Sequence, residues 1–270
     1  MNPFSTPRSA LYLPASNLRA IEKARGLAAD MILLDLEDAV KPENKDAARA
    51  AAVAAVAQGF GGRPVAIRAN ARGTEWHEAD VAAIAASAAD FIILPKVESG
   101  DDAAGVALRA GKPLLAMIES PKAIFAAQSI AIAHGVAGLI AGMNDLANDL
   151  RLPPSDDRAG LLLALQTIVM AARAGGIWAL DGVYNRLEDG EGLAAECAEG
   201  RRFGFDGKTL IHPNQIETAN RVFSPSEAEL VAARALVAAA SGGAERFGDR
   251  MIETMHVEAA RRMLARGVCI

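Results

Sequence analysis

Short, almost continuously apolar runs alternate with longer Ala-rich stretches along the whole chain, and this limits the possible folds more than any other feature. Eight runs stand out: 10–14 (ALYLP), 31–38 (MILLDLED), 65–70 (VAIRAN), 91–97 (FIILPKV), 114–119 (LLAMIE), 136–145 (VAGLIAGMND), 177–184 (IWALDGVY) and 205–213 (FDGKTLIHP). Strands apolar on both faces are covered on both faces, as in a parallel sheet wrapped by helices. Helix signals fall between them. Asn17 and Asn44 each open a stretch, Ser120-Pro121 forms a cap and first-turn pair, and Gly175-Gly176 stops the apolar stripe of 161–174. Eight strand-then-helix units predict an α/β chain closed as a (β/α)8 TIM barrel. An open doubly wound sheet is the second choice, but the turn after the first run reads Pro14-Ala15-Ser16-Asn17 and lacks the Gly-rich fingerprint.

The barrel is expected over residues 1–223, with a C-terminal helical extension over 224–270 acting as a lid or oligomer contact. Two helices are expected there, 226–240 and 248–266, joined through a flexible Ser241-Gly242-Gly243 linker. A net charge of -5 with mixed signs argues against nucleic-acid or anionic-membrane binding. The uncharged stretch 123–144 carries Gln128, Ser129 and His134, so it reads as a helix and buried strand rather than a membrane span. Cys197 and Cys269 have no metal-like spacing, the start of the chain lacks the order of a signal peptide, and a reducing cytoplasm is the expected location.

In such a barrel the residues at the carboxyl ends of the strands line the site. Here those ends carry Glu37-Asp38, Arg68 and Asn70, Lys96 and Glu98, Glu119, Asn144-Asp145, and Asp181; Asp206, Lys208 and His212 follow on the eighth run. Charges beside apolar strands are costly unless paired or metal-bound. Glu119 and Asp145 fall at the ends of adjacent strands and suit Mg²⁺, which takes one or two carboxylates plus water and substrate oxygens. The alternative is that each acid caps the following helix or pairs with an arginine. Arg68 can grip a carboxylate in a forked bond, or form a structural bridge to Glu37 or Glu98. Glu37 and Asp38 as strand neighbours are expected to face opposite ways. Lys96 is a weak Schiff-base candidate because the surrounding acids keep it protonated. His212 reads as a packed, hydrogen-bonded histidine and His77 as a surface one. No Gly-x-Ser-x-Gly or P-loop pattern occurs.

The runs RSALYLPA (8–15), LDLEDAV (34–40), VAIRAN (65–70), ILPKVES (93–99), AMIESP (116–121), NDLANDL (144–150), ALDGVY (179–184) and GFDGKTLIHPNQI (204–216) together resemble the citrate lyase β-subunit family, within the wider HpcH/HpaI aldolase group. The resemblance spans most of the chain in order. It implies a (β/α)8 barrel assembled as a homo-oligomer, a trimer or hexamer, that makes or breaks carbon–carbon bonds in acyl thioesters. By the same resemblance Glu119 and Asp145 are the Mg²⁺ ligands (Mn²⁺ being an alternative), and Arg68 polarises the thioester or enolate oxygen. Glu37 and Asp38 orient water and the arginine. Arg8 contacts the phosphates of coenzyme A, which enters as part of the substrate, with Arg19, Lys23 and Arg25 nearby.

The implied activity is a Mg²⁺-dependent lyase acting on a short 3-hydroxy-carboxyacyl-CoA such as malyl-, citramalyl- or citryl-CoA. Alternatives are an aldolase on free hydroxy-oxo acids, a malyl-CoA thioesterase, and a non-catalytic barrel that binds an acyl carrier. Three positions depart from the family pattern. Met251-Ile252-Glu253 stands where the family carries Met-Ile-Asp before a Pro, so a lid acid would be Glu253. Asn144 precedes Asp145 where many members have Glu, and Gln166 stands where an Arg is common. These departures suggest a stand-alone enzyme rather than a subunit of the citrate lyase complex.

Overall fold

The structure, a computed structural model, describes residues 6–155 and 157–268; Cys269 and residues 1–5 lie outside the described residues. Eight parallel strands close into a barrel in sequence order: β1 Ser9–Pro14, β2 Met31–Asp35, β3 Val65–Arg68, β4 Phe91–Leu94, β5 Leu114–Ile118, β6 Val136–Ala141, β7 Trp178–Asp181 and β8 Gly207–Leu210. β1 pairs with β8 (Ala10 with Thr209), which completes the closure. Helices α1 Leu18–Ala24, α2 Lys45–Gln58, α3 His77–Ala86, α4 Gly100–Ala110, α5 Pro121–Ala131, α6 Met143–Asp149, α7 Leu162–Gly175, α8 Gly190–Phe203 and α9 Ile216–Phe223 follow the strands. The predicted (β/α)8 barrel is therefore the observed fold.

Two hydrophobic clusters explain why the runs are apolar on both faces. One lies inside the barrel, with Met31 and Leu33, Ala66, Ile93, Leu115 and Met117, Ile140, and Leu180 on alternate positions of their strands. Phe91 and Trp178 fill it with rings whose centroids are 5.3 Å apart. The other lies between strands and helices, with Leu11 and Leu13, Ile32 and Leu34, Ile67, and Ile92 and Leu94 on the intervening positions. Alternation of side chains across a strand thus sorts each apolar run into two cores. The outer core holds many alanines, which let the helices sit close against the sheet.

Caps follow the expectation in part. Asn17 accepts from the Ala20 N–H at 3.1 Å and Ser120 from Ala123 at 3.1 Å, while Gly176 closes α7 in the left-handed conformation at φ 66°. Asn44 does not cap: Pro42–Asn44 forms a 3-10 turn that runs directly into α2, so its side chain is not aimed at free N–H groups. Beyond α9 come α10 Glu227–Ala239, a hairpin of β9 Glu245–Phe247 and β10 Arg250–Ile252, and α11 Thr254–Val268 packed on α10. The helix expected from 248 starts six residues later, because the hairpin takes up its first part. Among the described residues no helix is long and apolar enough to cross a membrane. Cys197 is free and buried, and burial pushes its thiol up to about 11.

Candidate active site at the carboxyl ends of the strands

The inward positions continue past the apolar core and turn polar at one end of the barrel. Met31 and Leu33 lead to Asp35, Ala66 to Arg68, Leu115 and Met117 to Glu119, and Ala10 to Tyr12. Tyr12, Asp35, Arg68, Glu119, Asp145 and Thr209 line a mouth cavity of 380 Å³.

Arg68 is the centre of the charge network. Its Nε donates to Asp35 Oδ1 at 2.6 Å and its Nη2 to Asp35 Oδ2 at 2.5 Å, a forked pair that fixes the guanidinium plane. Nη1 lies 3.0 Å from Glu37 Oε2 and 3.5 Å from Asp38 Oδ2. The guanidinium also stands over the Tyr12 ring, 5.1 Å from its centroid. Burial works against its charge, but Asp35, Tyr12 and Glu37 together outweigh burial and hold Arg68 cationic. Glu98 is not its partner; Ser120 donates to it and Lys122 pairs with it.

The expectation that Glu37 and Asp38 face opposite ways is corrected. β2 ends at Asp35, and the chain beyond it bends, so both acids approach one nitrogen of Arg68. Lys45 pins this bend: its buried ammonium donates to Leu36 O at 2.8 Å, Glu37 O at 2.7 Å and Asn70 Oδ1 at 2.6 Å. Glu37 Oε2 is buried with no hydrogen bond, because it sits at ion-pair distance from Arg68 but off the N–H direction. Burial drives Glu37 up to about 8 against the pull of Arg68.

Glu119 is 5% exposed, and its Oε1 accepts from the Lys96 main-chain N–H at 2.6 Å. Burial raises Glu119 to about 7, with Lys96 and Arg68 opposing and Asp145 adding to the rise. Gly142 makes room for it: a Cβ there would lie 2.3 Å from Glu119 Cβ and 2.7 Å from Oε2. Asp145 stands in the first turn of α6 rather than on a strand, since β6 stops at Ala141. Ser120 caps α5, and α6 has no side-chain cap, so neither Glu119 nor Asp145 serves as an N-cap. Among the described residues no group of three or more His, Cys, Asp or Glu could hold a metal. Two carboxylates nevertheless meet the protein share of a Mg²⁺ site, which keeps its remaining positions for water and substrate. The Gly142 cradle around Glu119 fits such a group.

Other expected residues lie elsewhere. Lys96 is about half exposed, with Nζ 3.9 Å from Asp145 Oδ2. Asp181 and Lys208 turn outward from the barrel into a fully buried pair at 3.1 Å, joined by Arg158 at 2.8 Å from Asp181. His77 is buried, not on the surface; its Nδ1 is 2.9 Å from Asn70 O, beneath the mouth. His212 is exposed and caps a short turn, its Nδ1 accepting from the Asn214 N–H at 3.3 Å. Arg8 precedes β1 and so stands at the opposite end of the barrel from Arg68 and Glu119. It is held by Asp30 through two bonds of 2.8 Å, away from the mouth where Arg68 and Glu119 converge. Glu253 is exposed just after β10 and is not among the residues lining the mouth of its own chain.

Sequence reasoning missed Asp35, Tyr12, Lys45 and Gly142. Asp35 was findable, because the two-residue period from Met31 and Leu33 carries it inward. Lys45 was not, because it comes from a helix and reaches back under the preceding loop.

Comparison with known proteins identifies the family. A model of the HpcH/HpaI aldolase/citrate lyase family matches residues 8–213, and a second, described as a C–C bond lyase of the TIM-barrel fold, matches residues 162–269. A (3S)-malyl-CoA thioesterase of Cereibacter sphaeroides is 45% identical over 272 residues, covering 97% of this chain and 95% of that one. The citrate lyase subunit beta of Escherichia coli is 32% identical over 283 residues, covering 97% and 93%. Among solved structures, protein CitE from Mycobacterium tuberculosis in complex with magnesium, acetoacetate and coenzyme A has a TM-score of 0.82 at 32% identity, covering 96% of this chain and 97% of that one.

Proposed function

Because the chain belongs to the HpcH/HpaI aldolase/citrate lyase family, we propose that it is a Mg²⁺-dependent enzyme acting on a short 3-hydroxy-carboxyacyl-CoA thioester of the malyl-CoA kind. The observation that carries this reading is the convergence of Arg68 and Glu119 on one mouth, with Asp145 on its rim. Glu119 and Asp145 would hold the metal. When bound, Mg²⁺ supplies Lewis-acid polarisation of the substrate's carboxylate and hydroxyl oxygens.

Arg68 is placed to stabilise negative charge on the thioester oxygen. Asp35 and Tyr12 fix the guanidinium before substrate arrives, so little reorganisation is needed as charge develops. Glu37, 3.0 Å from Arg68, is the proposed base. Burial lifts it close to neutrality, where a carboxylate both accepts and returns a proton. Lys45 orients it by holding its main chain.

Two outcomes are open to this machinery. Hydrolysis, with Glu37 taking a proton from water, is favoured by the 45% identity to malyl-CoA thioesterases. Carbon–carbon cleavage, with the proton taken from the substrate hydroxyl and Arg68 holding the enolate oxygen, is favoured by the citrate lyase β subunits at 32%. Incubation with (3S)-malyl-CoA distinguishes them. Hydrolysis gives malate and a free thiol, and cleavage gives glyoxylate and acetyl-CoA with no free thiol. Absence of both product pairs in the presence of Mg²⁺ sinks the reading.

A homo-oligomer, a trimer or hexamer, is part of the proposal. It is supported by exposed Phe125 and Leu163 on the packed pair α5 and α7, and by Glu253, which would need a neighbouring copy's mouth to act as a lid acid. Light scattering on the purified chain tests it, and a monomer at working concentration refutes it.

A further inference from the structure

The other end of the barrel is built as differently from the mouth as its charge allows. A cavity of 1090 Å³ lies between the strand starts and α11. Arg8, Arg63, Arg173, Arg201, Arg262 and Arg266 line it, against two acids, Asp30 and Asp206, in a chain of net charge -5.

The two acids are already engaged. Asp30 is taken up by Arg8 at 2.8 Å, and Asp206 by Arg173 at 2.9 Å and more loosely by Arg266 at 3.9 Å. Arg201 turns to Glu229 at 2.9 Å. Arg63 and Arg262 have no carboxylate partner among the described residues. Arg63 donates to the carbonyls of Phe60, Leu27, Ala29, Ala24 and Arg25, which satisfies its N–H groups but leaves its charge uncompensated. Arg266 Nε is buried with no hydrogen-bond partner. Burial, aided by repulsion from Arg201 and Arg8, disfavours the charged form of Arg266.

Like charges gathered around a cavity, two of them (Arg63 and Arg262) without a carboxylate partner among the described residues, are stabilised by an anion. We propose that this cavity binds a small phosphate-bearing anion, at a site separate from the mouth. The arginines come from the segments before β1 and β3, from the last turns of α7 and α8, and from α11, and a phosphate offers them several charged acceptor oxygens where a lone carboxylate offers two. The volume accommodates a phosphorylated small molecule rather than a bare ion. Because Arg262 and Arg266 belong to α11, the ligand would fasten the C-terminal extension to the barrel base.

The test is calorimetric titration of the full, metal-free chain with inorganic pyrophosphate. Saturable binding is expected, weakened about tenfold or more in Arg262→Gln and again in Arg266→Gln, while Lys96→Gln at the mouth leaves it unchanged. Hydrogen exchange of 254–268 should slow on binding. Arg266→Gln also loses the bond to Asp206 O that ties α11 down, so the exposed Arg262 is the deciding variant. No saturable binding, or binding unaffected by Arg262→Gln and lost in Lys96→Gln, overturns the proposal.

Discussion

The main-chain N–H of Lys96 donates to Glu119 Oε1 at 2.6 Å, from a residue held at φ 52°. A left-handed conformation is costly for a residue with a Cβ. Here it turns the N–H at the end of β4 toward the acid at the end of β5. With Gly142 behind it, Glu119 is held from both sides, its second oxygen left free for the mouth.

Gly142→Ala should disturb this arrangement at one point. The new Cβ would overlap Glu119, whose stem cannot withdraw because it follows directly on β5. We expect a loss of about 1–3 kcal/mol in stability and a fall in Mg²⁺ affinity of about 10–100-fold. Denaturant unfolding and metal titration measure the two separately. Unchanged metal affinity would remove Glu119 from the metal site.

Glu119→Gln and Asp145→Asn should each lower Mg²⁺-dependent turnover by about a thousandfold, equivalent to several kcal/mol of transition-state stabilisation, with the circular dichroism spectrum unchanged. Full activity in excess EDTA would refute the metal assignment.

Arg68→Lys keeps the charge but loses the fork to Asp35 and the stacking on Tyr12. Its kcat should fall about 10²–10³-fold with a smaller change in KM. Asp35→Asn should destabilise the fold by about 3–5 kcal/mol, because it leaves a buried guanidinium under-compensated. If both variants turn over normally, Arg68 is only a structural bridge.

Stability should depend on pH in a direction set by Glu37 and Glu119. Burial raises them to about 8 and about 7, so the folded metal-free chain keeps protons that the unfolded chain has already released. Their contribution is full below the ordinary carboxylate range and is lost as pH climbs through the raised values. The melting temperature of metal-free protein should therefore fall between pH about 5 and about 8.5. Glu37→Gln should flatten that slope. Mg²⁺ should restore stability at the high end by binding the ionised carboxylates. A melting temperature that rises over this range would contradict the burial of both groups.

The two kinds of information divide cleanly along the chain. The alternation of apolar runs and helical stretches determined eight strands, their order and the barrel, because strand and helix periods are local and a parallel strand covered on both faces must be apolar on both. It also put Arg68 and Glu119 at strand ends, where a barrel collects its chemistry. What it could not determine was how the ends of those runs bend. β2 stops at Asp35, which lets Glu37 and Asp38 share Arg68, and β6 stops at Ala141, which puts Asp145 on a helix. Arg8 reads as a ligand-binding arginine beside the β1 motif, yet it lies at the strand's start and its charge is spent on Asp30. Partners such as Asp35 for Arg68, Lys45 for the Glu37 loop and Lys96 for Glu119 come from different elements. Only closure of the barrel brings them within hydrogen-bond distance, and the directionality of those bonds then decides which charge faces the mouth and which is buried behind it.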